Sequence, residues 1–124
     1  MGSWFGKKEN KHKGPSWIDL NSIEQLEDVI ERSKEKPVLV FKHSTRCSIS
    51  LMVLNGFERS WEDTEEMDLY FLDLLKHRDV SNAIAEKTQV VHQSPQVLVL
   101  KDGKVLYHAS HNSIDARAAR NAVR

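Results

Sequence analysis

A single cysteine, Cys47, excludes any disulfide within this 124-residue chain and removes the stapled small-domain scaffolds from consideration. One thiol also points to a reducing compartment, so the cytoplasm is the expected location. Net charge is equally lacking: 18 Lys and Arg balance 18 Asp and Glu, which leaves no overall field to draw the molecule to nucleic acid. No apolar run approaches the roughly 18 residues of a membrane-spanning helix. The first fifteen residues lack the apolar stretch of a signal peptide. No low-complexity tract or internal repeat interrupts the chain. The remainder is ordinary for a folded domain, with 40% apolar and 29% charged residues. That length supports one core.

The opening "MGSWFGKKENKHKGP" is basic, punctuated by glycine and without helical or strand period, so residues 1–15 are expected to form a flexible tail before a domain spanning 16–124. Trp4 and Phe5 beside lysines offer a contact for an anionic surface, against the plainer reading of a solvated end.

From Trp17 the pattern is regular. "WIDL" reads as a short strand, and Ser22 with Gln25 as a capping box opening a helix with Ile23, Leu26, Val29 and Ile30 on its buried stripe. "PVLVFKH" is a continuous apolar run of the kind found in parallel strands covered on both faces. A helix is expected after Cys47, with Ile49, Met52, Val53, Phe57 and Trp61 inward. "MDLYFLDLL" reads as a strand and Val80 to Lys87 as a short helix. "QVLVLKDGKVLYHAS" is a hairpin turned at "DG", a type I′ signal, and "SIDARAARNAV" a closing helix capped by Asn112 or Ser113. The order βαβαβαββα predicts an α/β fold, a mixed central sheet with helices on both faces, and a thioredoxin-like architecture fits it most simply.

"HSTRCSIS" places Cys47 at the junction of strand and helix. Cysteine is more often buried and inert than reactive. Here the surrounding stretch is polar, the unpaired amides and positive dipole end of a helix lie alongside, and Arg46 adds a cation. Arg46, Ser48 and Ser50 are therefore the candidate thiolate-stabilising residues. For thiols in general, lowering the pKa from about 8.5 to about 6 raises the thiolate fraction about thirteenfold, but a Brønsted slope of about 0.45 removes a similar factor in nucleophilicity. The gain falls on the leaving step, which suits a protein that picks up a thiol and must release it. Ser50, three residues on, has no sulfur with which to resolve a mixed disulfide, so a second thiol must come from another molecule.

In the expected architecture, the loop "HQSPQ" faces that helix start. A cis Ser94–Pro95 bond there would present the backbone of Ser94 to a substrate. Thr45, Ser94, Pro95 and Gln96 are accordingly the candidate substrate-binding residues. The six histidines show no zinc spacing, so no metal site is expected. His43 or His92 is a candidate for tuning the thiol, against the plainer reading of a solvated edge residue.

Three stretches together carry a family resemblance: "FKHSTRCSIS", "VSNAIAEKTQV" before "HQSPQV", and "DGKVLYHASHNSI". On these the chain resembles the monothiol bacilliredoxins, thioredoxin-like proteins of bacteria that make bacillithiol. The family's site is similar to a Thr-Cys-Pro-Ile-Ser run, met here at Cys47, Ile49 and Ser50 and departed from at Arg46 and Ser48. The resemblance implies a thiol–disulfide oxidoreductase that removes bacillithiol from protein mixed disulfides through Cys47. Its partners would be bacillithiolated proteins, with bacillithiol or a similar low-molecular-weight thiol as co-substrate and no tightly bound cofactor. Two other classes stay open at this point: a monothiol glutaredoxin-like protein ligating an iron–sulfur cluster between two subunits, and a thioredoxin-like binding module in which the thiol is incidental.

Overall fold

The computed structural model describes residues 14–124, so most of the expected tail, Trp4 and Phe5 included, lies outside the described residues. The elements run β1 (Trp17–Asp19), α1 (Ile23–Arg32), β2 (Val38–His43), α2 (Ser48–Ser60), β3 (Asp68–Asp73), α3 (Arg78–Thr88), β4 (Gln96–Lys101), β5 (Lys104–Ser110) and α4 (Ala116–Asn121), with a short 3-10 turn at His111–Ser113. This is the order expected from the sequence. The strands form one sheet, β1-β3-β2-β4-β5. β1, β3 and β2 are parallel, whereas β4 is antiparallel to both β2 and β5.

β2 is buried along its whole length because it lies at the centre of the sheet with helices over both faces. Its alternate residues divide the core. Val38 and Val40 join Leu26 and Val29 of α1 and Val80 and Ile84 of α3. Leu39 and Phe41 join Leu54 and Phe57 of α2 and Ala116 and Ala119 of α4. An aromatic cluster seats α2: Phe57 stacks on Trp61 at 5.4 Å and meets Phe41 edge-on at 5.5 Å, and Trp17 lies 5.9 Å from Phe57. Such pairs add about 0.5–1.5 kcal/mol each beyond area burial, enough to hold a helix whose first turn is exposed at every residue but Ser50. Trp17 also donates its indole N–H to Glu58 of α2 at 2.7 Å.

Several local readings hold in detail. Ser22 caps α1 by accepting the Gln25 N–H at 3.0 Å, while Gln25 Oε1 reaches back to the Asn21 N–H at 2.8 Å. At the "DG" turn both residues take positive φ, 55° at Asp102 and 75° at Gly103, as a type I′ hairpin requires. Two differ. The cap of α4 is Asp115, which accepts from Arg117 and Ala118, because the 3-10 turn uses up Asn112 and Ser113 before the helix begins. α2 keeps part of its expected face, with Phe57 and Trp61 buried and Val53 packed against the core, but Ser50 and Leu54 are buried where Ile49, 50% exposed, and Met52, 71% exposed, were expected. Among the described residues no helix is long and apolar enough to cross a membrane.

Candidate active site

Cys47 stands where β2 hands over to α2. The turn before it closes through the Cys47 N–H, which donates to the Ser44 carbonyl at 3.2 Å. The Cys47 carbonyl accepts from Leu51 at 3.1 Å, so Cys47 is the N-cap itself, with extended φ of −106°, rather than a residue of the first turn. An N-cap side chain sits where a serine or aspartate would accept the first-turn amides. The Cys47 side chain accepts no such bond here. The thiol is half-buried, and Thr45, Arg46 and Ser48 around it are exposed. Arg46 forms no ion pair among the described residues and so keeps its charge available to an anion near the thiol.

Ser50 bonds back to the turn that precedes the helix. It is fully buried, with its hydroxyl 2.7 Å from His43 Nδ1 and accepting the Ser44 N–H at 3.1 Å. Its hydroxyl thus joins strand β2 to helix α2 across the turn that carries Cys47. Burial holds His43 below the usual histidine range, opposed by the nearby Asp73 and Glu58 carboxylates, which favours a neutral ring. His43 is therefore neither a solvated edge residue nor shown in contact with the thiol. It is the core-side brace of the turn. Ser50→Ala should strand both the Ser44 N–H and His43 Nδ1, costing about 1–3 kcal/mol in urea unfolding while leaving Cys47 alkylation within about twofold of wild type.

The loop between α3 and β4 opens onto the same end of the sheet. The β2–β4 register sets Gln96 against Lys42, which brings Pro95 to the level of the Cys47 turn. The Ser94–Pro95 bond is cis, as expected from the sequence. The Pro95 carbonyl accepts the His111 N–H at 3.0 Å, tying the loop to the 3-10 turn. Ser94 is half-buried and its hydroxyl has no partner among the described residues. Gln96 corrects its expected role. Only 2% exposed, it turns inward and donates its amide to the Val91 carbonyl at 3.0 Å, so its side chain supports the loop rather than meeting a substrate. Among the described residues, no three His, Cys, Asp or Glu side chains gather as a metal site.

A family profile described as monothiol bacilliredoxin BrxC matches residues 18–119. The chain belongs to the monothiol bacilliredoxin family. It is 36% identical to a solved structure described as that of a proposed oxidoreductase with a thioredoxin fold, covering 87% of this chain and 94% of that one, with a TM-score of 0.75. Thioredoxin from Malassezia sympodialis shares the fold at 17% identity and a TM-score of 0.68, covering 94% of this chain and 95% of that one. Thioredoxin from Trypanosoma brucei brucei does so at 19% identity and 0.66, covering 94% and 96%. The fold is thioredoxin-like, and the family's chemistry is thiol redox chemistry.

Within this bacilliredoxin, one polar residue near the site escaped the reading of the sequence. Lys42 ends an apolar strand and would be expected to extend to solvent, yet it is fully buried. Its Nζ donates to the Ser81 carbonyl at 3.2 Å and lies 3.3 Å from His92 Nδ1. The partners are far away in sequence, so no local pattern signals them.

Proposed function

We propose that this protein removes bacillithiol from protein mixed disulfides by a single-thiol mechanism, in the cytoplasm, with bacillithiol as co-substrate. The observation that carries the reading is the pairing of an accessible N-cap Cys47 with a buried Ser50 at the position where a second sulfur would otherwise stand. The Cys47 thiolate attacks the bacillithiol sulfur of the substrate. A new S–S bond forms, the old one breaks, and the protein thiolate leaves and takes a proton from water. Cys47 now carries bacillithiol. A second low-molecular-weight thiolate then attacks that bacillithiol sulfur, forming a small disulfide and returning Cys47 as thiolate. Sulfur and electrons balance, and no group other than thiols is consumed.

Each residue has a part. The first-turn amides of α2 and the Arg46 guanidinium face the developing negative charge when Cys47 departs. Ser48 contributes its backbone N–H at the first helical position, where the family's proline has none. The Thr45 hydroxyl and the backbone of Ser94 beside Pro95 take the substrate on either side of the disulfide.

Whole-protein mass tests the reading. Reduced protein incubated with a bacillithiolated substrate should gain one bacillithiol, and less when the substrate carries glutathione. A mass that never changes while the substrate is reduced would sink the mechanism. Visible absorption after anaerobic purification would instead favour a cluster-binding role.

A further inference from the structure

The loop from Val90 to Ser94 has no backbone–backbone hydrogen bond to the body of the protein among the described residues. Side chains hold it instead. Gln96 grips it at the Val91 carbonyl, and Lys42 grips it at His92 Nδ1, a nitrogen that also lies 3.2 Å from the Ser81 hydroxyl. Lys42 and Gln96 are register partners on neighbouring strands, so the two grips stand side by side. Lys42 meets no carboxylate among the described residues. A buried ammonium without a counter-ion is costly, and an apolar side chain would fill the same place on the sheet more cheaply. What lysine supplies there is donors, which join β2, α3 and the loop at one point.

We propose that Lys42 is a positioning residue: through His92 it fixes the loop that presents Ser94, next to the buried Pro95, to the substrate beside Cys47. The inference rests on the thiol-exchange reading for its consequence, but not for the contact itself. It also makes the loop sensitive to acid. Only an unprotonated Nδ1 can accept from the ammonium. The charged groups acting on His92 are Lys42 from β2 and Arg78 from α3, and both, after burial, hold it below the usual histidine range. His43, with Asp73 and Glu58, belongs to the opposite face of the sheet. When His92 is protonated, two cations face one another and the loop lets go.

Three variants test this: Lys42→Met, His92→Ala and His92→Asn, the last keeping an acceptor that does not titrate. The probe is a decapeptide whose one cysteine carries bacillithiol. Exchange with it should slow about tenfold in Lys42→Met and His92→Ala, the scale of effect expected when a substrate-positioning element loosens. Alkylation of Cys47 by iodoacetamide, which needs no loop, should stay within about twofold. His92→Asn should keep the wild-type peptide rate at neutral pH; the ratio of peptide exchange to iodoacetamide alkylation at the same pH should fall below about pH 6.5 in the wild type and stay level in His92→Asn. Amide hydrogen exchange at His111, whose N–H donates to the Pro95 carbonyl at the end of the loop, should quicken at least about tenfold in the first two variants and not in His92→Asn. Unchanged amide protection in Lys42→Met and His92→Ala overturns the proposal, as does an equal fall in peptide exchange and alkylation. Quickened amide exchange in a protein that never takes up bacillithiol overturns the thiol-exchange reading and leaves the Lys42 contact standing.

Discussion

Cys47→Ser should abolish uptake of bacillithiol altogether, and Ser50→Cys should shorten the life of the adduct at least tenfold. The first effect is total because the chain holds no other sulfur nucleophile among its cysteines, and a serine hydroxyl does not attack a disulfide. The second follows from spacing. A sulfur at position 50 would stand three residues past the N-cap, within bridging reach of Cys47 at a helix start. The adduct would then resolve internally, expelling bacillithiol and leaving a disulfide 2 mass units (about two hydrogens) lighter than the dithiol. Ser50→Cys also replaces the oxygen that accepts the Ser44 N–H and meets His43, so it should cost about 1–3 kcal/mol of stability while remaining folded. Time-resolved intact mass separates the outcomes. A wild-type adduct that decays without added thiol, or a Ser50→Cys adduct as long-lived as wild type, would show that position 50 does not govern resolution.

How much of this was legible in the sequence differs from residue to residue. Strand and helix order was, because β2 is apolar throughout and the helices carry strong local signals such as the Ser22–Gln25 box. Cys47 was, since a polar run between strand and helix marks an exposed junction. The inward face of α2 was legible at Phe57 and Trp61 but not in its first turns. Ile49 and Met52 look like core residues by apolar period, but the helix is phased by Leu54, Phe57 and Trp61 against Phe41 and Trp17, and that phase buries Ser50. A serine in a core position carries no hydrophobic signal; its reason is His43, seven residues earlier on the preceding strand. Ile49 and Met52 are left on the surface in the first turns of α2. Gln96, expected to bind substrate, and Lys42, for which no role was read, share this reason with Ser50. Each looks like a polar residue at a strand end, and each is buried because its partner arrives from α3 or the loop after it.

Lys42 should make the folded protein more stable as pH rises from about 8 towards 9.5, by up to about 2 kcal/mol, and Lys42→Met should lack this rise. Burial pushes the Lys42 amine down to about 8 from an ordinary value of 10.5. Below that pH both folded and unfolded chains hold the proton, and the fold bears the full cost of a buried ammonium. Between 8 and 10.5 the folded chain releases the proton while the unfolded chain keeps it. The unfolded state then binds more protons, which is the condition for stability to increase with pH. The tyrosines act in the opposite sense. Tyr70 and Tyr107 are raised above their ordinary value, chiefly by burial, so the fold disfavours their phenolates and loses stability as pH passes about 10. The Lys42 effect is therefore read below 9.5, as the difference between wild-type and Lys42→Met urea midpoints. At pH 7 the variant should be the relatively more stable protein, with the gap closing as the lysine deprotonates. Parallel curves for the two proteins would mean that the ammonium is solvated in the native state, and would remove the reason for regarding its burial as a cost. A closing gap, together with slower peptide exchange in the same variant, would show a fold that gives up stability at neutral pH to hold one loop in register with one thiol.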